Sequence, residues 1–160
     1  HVGAPNYGTY FNQLDQLLSE DGVALVHTIV KRTPPSGSYD WVSKHIFPGG
    51  YIPSISEVFA AVEKSGLYTA DLEIWRGHYA ETLRHWWKRF EANLDKAEAL
   101  YDARFCRMWE FYLRGCEAEF RYGSLAVGQF QFSKNLNTLP ATRSYIGAIE
   151  TKLPMMNKFA

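Results

Sequence analysis

Two imidazoles and a phenol are the groups in this chain best suited to grip a small anion or move a proton. His27 interrupts the apolar run Val23-Ala24-Leu25-Val26-His27-Thr28-Ile29-Val30, which follows the turn residues Asp21-Gly22. A continuous apolar run of this kind predicts a buried parallel strand, with His27 near its C-terminal end, where open α/β sheets place their ligand sites. His78-Tyr79 follows Leu72-Glu73-Ile74-Trp75-Arg76-Gly77, so it too lies just beyond a predicted strand. A phenol and an imidazole on neighbouring strands can hold a small anion or relay a proton. Each also has an ordinary explanation. A lone histidine in an apolar run is usually satisfied by a backbone carbonyl, and a tyrosine after a glycine often packs into a capping loop.

Other segments carry weaker chemistry. Phe47-Pro48-Gly49-Gly50 has two glycines but lacks the strand–GxGxxG–helix context of a dinucleotide loop, so it reads as a rigid turn with a minor claim to substrate contact. His85-Trp86-Trp87-Lys88-Arg89-Phe90 mixes rings with cations and suits either a bilayer interface or an ordinary amphipathic helix. The apolar stripe from Phe105 to Phe120 reads as core, and an acyl-chain tunnel would use the same residues. Among Asp15, Glu57, Glu63, Glu73, Glu91, Glu117 and Glu119 there is no evident catalytic pair. No GxSxG or cysteine–histidine arrangement is present, and no CxxC or HxxxH pair marks a metal.

The elements that must position these groups follow from periodicity and punctuation. Pro5 suits a helix N-terminus, and Tyr7, Tyr10, Phe11, Leu14, Leu17 and Leu18 recur at three and four. After the His27 strand, Pro34-Pro35-Ser36-Gly37-Ser38 breaks the chain, 39–46 is a short helix, and 47–53 is irregular. Ser54 or Ser56, with Glu57, caps a helix that ends at Gly66. A strand is predicted at 67–75, helices at 80–92 and 97–122, and a last alternating strand at 125–133. The tail, with Pro140 and Pro154, receives no element and is expected at the surface. The order is that of the second half of an open α/β sheet with a helical insertion before its last strand.

Composition narrows the function. The 160 residues make one domain or part of one, and 17 basic side chains balance 17 acidic ones. A neutral chain has no long-range field to attract phosphate backbones, which argues against nucleic acid as a partner. Aromatic residues reach 16%, enough for a large core or a pocket for an apolar ligand. No apolar run approaches the roughly 18–20 residues of a membrane-spanning helix, and no secretory leader is evident. Cys106 and Cys116 fall on one predicted helix, about 15 Å apart, too far for a disulfide. Free thiols fit a reducing, cytoplasmic setting.

Five ordered segments resemble the cyclopropane-fatty-acyl-phospholipid synthase and mycolic acid cyclopropane synthase family of S-adenosylmethionine-dependent methyltransferases. They are His1-Val2-Gly3 with Asn6-Tyr7, then 25–29, then Ile46-Phe47-Pro48-Gly49-Gly50-Tyr51-Ile52-Pro53-Ser54, then 78–83, and Tyr112-Leu113-Arg114-Gly115-Cys116-Glu117. The resemblance implies the C-terminal half of a Rossmann-like methyltransferase sheet over 1–134, a lipid-facing helical insertion at 79–122, and a C-terminal tail at 135–160. It implies transfer of a methylene from S-adenosylmethionine to the cis double bond of an unsaturated phospholipid acyl chain. It also implies a bound bicarbonate as base, held by the His27 imidazole, the Ile29 main chain and the Tyr79 hydroxyl. Phe47, Gly49 and His78 are implied substrate contacts, and His1 an S-adenosylmethionine contact.

In the family, a glutamate that also holds the bicarbonate comes just before the position of His1. A cysteine ligand and the glycine-rich cofactor loop lie further upstream. None of these is in the sequence, so a partial, inactive piece is expected, attached peripherally to a cytoplasmic membrane surface. Its open strand edge would invite a homodimer. The alternatives are an acyl-chain methyltransferase that does not close the ring, and a non-catalytic lipid-binding or dimerisation module.

Overall fold

The computed structural model describes residues 2–37 and 39–151. A three-stranded sheet organises them: β1 (Val23–Lys31), β2 (Tyr68–Trp75) and β3 (Leu125–Ser133), in the order β1-β3-β2. Val23 of β1 and Tyr68 of β2 both stand opposite Ser133, so β1 and β2 run the same way and both are antiparallel to β3. Within this sheet the His27 strand pairs antiparallel with β3, where parallel pairing is expected, and is parallel only to β2 across that strand. A crossover through α2 (Asp40–His45) and α3 (Ile55–Val62) brings β2 back parallel to β1 but leaves a slot between them, and β3 fills it.

Position in the sheet also explains burial. β3, in the centre, is buried at seven of its nine positions, whereas β1 alternates between exposed and half-buried until Val30 and Lys31. Leu25, expected inside, is 61% exposed. The apolar run reflects a strand needing cover on both faces; here the face carrying Val23, Leu25 and His27 is left exposed along that stretch, and is covered only further on, at Ile29 and Lys31. The strand also continues to Lys31, which places His27 in mid-strand rather than at the end.

The two faces of the sheet carry separate cores. On one, Val30, Ala126, Phe130 and Phe132 pack with Phe11 of α1 (Tyr7–Leu17) and with Val58 and Val62 of α3. On the other, Leu125 and Val127 meet α4 (His78–Glu91) and α6 (Ala103–Tyr122) through Leu83, Trp87, Leu113 and Phe120. Arg121 ties α6 to α4, reaching Glu81 at 2.7 Å and Glu117 at 2.9 Å. The expected capping residue is Ser54: its N–H donates to Glu57 at 2.7 Å, and its hydroxyl donates to the Thr33 carbonyl at 2.7 Å. Lys31 N–H donates to the Pro53 carbonyl at 2.7 Å, so the irregular 47–53 segment is clamped to the end of β1.

Two helical predictions change. The helix expected over 97–122 divides into α5 (Leu94–Leu100) and α6, because the Asp102 carboxylate accepts the Phe105 N–H at 2.6 Å and starts a new helix. The tail, given no element, forms α7 (Ser144–Glu150). Arg143 pairs with Asp71 at 2.6 Å and Tyr145 donates to Gln131 at 2.8 Å, so this helix docks on strand side chains far away in sequence. Residues 152–160, with Pro154, lie outside the described residues.

Gly128 sits beneath an aromatic ring: a Cβ there would stand 2.7 Å from Cε2 of Phe130, which is 0% exposed. Gly128→Ala should cost about 1–3 kcal/mol by overpacking. Adding Phe130→Leu should recover part of that loss in urea unfolding; additive losses would show that the ring is not the obstacle. Both cysteines are free, and burial, with Glu119 nearby, pushes the Cys116 thiol up to about 11. Burial raises the Cys106 thiol as well. A raised thiol pKa leaves less thiolate at pH 8.5, so the native chain should react with a thiol reagent much more slowly than the urea-unfolded chain. Equal rates would contradict this packing.

Candidate active site

The sheet and its helices enclose an open-sided cavity of about 780 Å³. Its walls come from α1 (Tyr7, Tyr10, Phe11), from β1, from the 47–53 segment, and from α4 and α6 (Tyr79, Leu83, Tyr112, Phe120). His27, Ile29 and Tyr79 all line it. Because strand side chains alternate, His27, Ile29 and Lys31 project from one face of β1, the face that packs on α4 and α6. The backbone of the same residues has a shared direction. Lys31 N–H reaches outward to Pro53, while Arg32 N–H reaches inward to Ser124, so the Ile29 amide points to the outer edge of β1, away from β3.

Tyr79 enters from the second residue of α4. Gly77, with φ 70°, turns the chain from β2 into this helix, a left-handed conformation that favours glycine. The Tyr79 ring is held by Phe120 and Trp86, at 5.0 and 5.9 Å between centroids. The His27 ring is steadied by the edge of Trp75 on β2, at 6.3 Å, and by Gln129 of β3, whose amide nitrogen is 3.2 Å from Nδ1.

The remaining expected residues divide. Phe47 lines the cavity and meets the Tyr112 ring at 6.1 Å. Gly49, with φ 71°, forms the turn behind Phe47 and is not among the cavity-lining residues. His78 packs against the Trp75 ring, tilted, at 4.8 Å between centroids, and is likewise off the wall. His1 lies outside the described residues.

Two cavity residues, Lys31 and Tyr39, carried no site signal in the sequence. Lys31 is 2% exposed, and its ammonium donates to the Ser36 carbonyl, the Ser36 hydroxyl and the Gly37 carbonyl at 3.2, 2.9 and 2.8 Å. It also lies over the rings of Tyr39 and Tyr51, at 5.2 and 5.8 Å, so a buried cation is solvated by carbonyls and π-faces. A hydrogen bond to Glu57, reinforced by burial, pushes the Tyr51 hydroxyl up to about 12. Burial, with Cys116 and Tyr79 close by, puts Tyr112 at about 12, and burial also raises Tyr39 and Tyr7. These four phenols stay neutral at ordinary pH. The cavity is thus lined mainly by apolar groups and neutral donors, with Lys31, Asp40 and Glu119 as the charged residues on its wall, a setting for an apolar ligand.

A second groove of about 330 Å³ adjoins it, lined by Trp41, His45, Arg104, Arg107, Met108 and Phe111. Trp41 and Phe111 belong to both walls. Among the described residues, no group of three or more histidine, cysteine or carboxylate side chains is arranged for a metal ion.

Comparison with known proteins gives a consistent picture. Residues 1–130 match the family described as mycolic acid cyclopropane synthetase. The chain is 33% identical over 136 residues to the cyclopropane-fatty-acyl-phospholipid synthase of Escherichia coli, covering 85% of this chain and 35% of that protein. It is 37% identical over 135 residues to a tuberculostearic acid methyltransferase of Mycobacterium tuberculosis, covering 81% and 32%. It therefore spans about a third of the length of these two relatives. Among solved structures, a mycolic acid cyclopropane synthase complexed with SAH and CTAB superposes with a TM-score of 0.75 at 31% identity, covering 82% of this chain and 51% of that one. The β1-β3-β2 sheet with its helices is a C-terminal part of the Rossmann-like methyltransferase fold that this match represents. Sheet topology, cavity and likeness converge on one conclusion: the chain belongs to the mycolic acid cyclopropane synthetase family.

Proposed function

We propose that this chain forms the acyl-chain-facing part of an S-adenosylmethionine-dependent cyclopropane synthase acting on the cis double bond of an unsaturated phospholipid. One observation carries the reading: His27, Ile29 and Tyr79 border a single, largely apolar cavity. S-adenosylmethionine, when bound, supplies the methyl group that becomes the ring carbon. The chain's own residues toward that cofactor are on α1, whose Tyr7, Tyr10 and Phe11 line the same cavity.

The residues suited to hold bicarbonate are His27 by its imidazole, Ile29 by its main chain and Tyr79 by its hydroxyl, and the chemistry supplied there is proton acceptance. Neutral donors suit this task. They stabilise an anion in an apolar space without adding a negative charge, while apolar walls keep water from a developing cation. Ring closure needs the proton removed from the new methyl group; methylation without closure does not. The likeness to a tuberculostearic acid methyltransferase favours keeping that second outcome in view, and product analysis separates the two.

The second groove supports an amphiphilic substrate. Its arginines stand beside the cavity wall, as a lipid phosphate would require while the acyl chain enters past Trp41 and Phe111. No helix among the described residues is long and apolar enough to cross a membrane, and the proposed contact is peripheral, on the cytoplasmic leaflet.

In the complete enzyme, Tyr79→Phe and His27→Ala should each lower cyclopropane formation about a hundredfold, the scale for losing one preorganised donor. Cofactor affinity should stay close to normal. Unchanged turnover in either variant removes that residue from the reaction. On vesicles containing anionic phospholipid, replacing both Arg104 and Arg107 with alanine should weaken binding by about 1 kcal/mol per arginine. Binding to neutral vesicles should change little, and undiminished binding to anionic ones would rule the groove out as the lipid contact.

A further inference from the structure

We infer that Gln129 is a positioning residue that fixes the tautomer of His27, so that this imidazole presents an N–H, not a lone pair, to the cavity. The chemical meaning rests on the proposed anion-holding role of His27; the tautomer itself rests on geometry alone. His27 of β1 and Gln129 of β3 are directly opposed in the sheet register. The Gln129 side-chain nitrogen is 3.2 Å from His27 Nδ1. An amide nitrogen has hydrogens to give and no lone pair to offer, so Nδ1 must be the acceptor and the proton of the neutral ring must sit on Nε2.

The surroundings keep the pair in place. Glu73 of β2 stands opposite Gln129 on its other side, so one row across the sheet reads His27–Gln129–Glu73. On that flank the Glu73 carboxylate pairs with Arg143 at 3.8 Å. Trp75 packs edge-on against the imidazole and limits its rotation. With Nδ1 engaged, Nε2 is the ring nitrogen left for the cavity that His27 lines.

The two tautomers predict opposite chemistry. An Nε2–H imidazole donates a hydrogen bond to an anion and cannot itself take a proton through Nδ1 while Gln129 occupies it. The reverse arrangement, with the Gln129 amide turned by 180°, would put the proton on Nδ1 and make Nε2 a general base. The contact therefore casts His27 as a holder of the proton acceptor rather than as the acceptor.

The test is a long-range proton–nitrogen NMR correlation on the nitrogen-15-labelled chain at pH 8.5, with the His27 signals identified by their loss in His27→Gln. The unaltered chain should show the Nε2–H pattern. Gln129→Glu, nearly the same size but an acceptor, should move the proton to Nδ1. Gln129→Met, which removes the bond, should shift the tautomer ratio by about fivefold, the worth of one ordinary hydrogen bond. Backbone amide spectra report whether each variant is folded, and a readout from either one suffices. An Nδ1–H pattern in the unaltered chain, or an unchanged pattern in a folded Gln129→Glu, overturns the assignment. None of these readings depends on turnover, so a failed anion-holding role (an active His27→Ala enzyme) would be distinguished from a failed tautomer lock.

Discussion

The antiparallel insertion of β3 between β1 and β2 is the constraint on which the rest of this structure depends. It gives β3 the central place, where both faces are covered. It also separates two cores, one with α1 and α3 and one with α4 and α6. Finally, it brings residues about a hundred positions apart into register, His27 with Gln129 among them. A strand with only backbone pairing could slide; here a slip of one residue would turn Phe130 and Phe132 from one core towards the other, so register is strongly held.

The cavity follows from that arrangement. β1 supplies side chains from one face and backbone groups from its outer edge, and the 47–53 segment is fastened to the end of the same strand. The helices after β2 roof the space with aromatic rings. Charge is handled sparingly: the ammonium of Lys31 is consumed by loop carbonyls and tyrosine faces, and the phenols of Tyr51 and Tyr112 are driven far above neutral pH. What remains for a ligand is mostly hydrocarbon with a few neutral donors and, on the wall, the carboxylates of Asp40 and Glu119. Such a lining suits chemistry in which positive charge develops on a chain and one proton must leave.

Local rules carried much of the fold. Heptad-like spacing marked α1, Pro34-Pro35 and Gly37 marked the break after β1, and Ser54 with Glu57 marked the start of α3. Alternation marked β3. The errors came where a local pattern admits two tertiary answers. An apolar run is the same whether its cover comes from helices on both faces or from one face and a missing neighbour, so β1 was expected to be parallel and buried. The stripe on 97–122 continues through Asp102 because periodicity does not register a side chain capturing a backbone N–H. The tail showed no pattern because α7 is held by single polar contacts to Asp71 and Gln131.

At the site, residue types and order were legible in the sequence by itself: an imidazole within a strand, a phenol just after another, and an ordered set of segments characteristic of one family. These depend on neighbours in the chain, which sequence records directly. Which side chains share a wall was decided only by the folded sheet. Phe47 reaches the cavity while Gly49 and His78 do not, and Lys31 and Gln129 take their places without any local sign. The reason is physical: the direction of a strand side chain is set by pairing and burial, and both are fixed by partners distant in sequence.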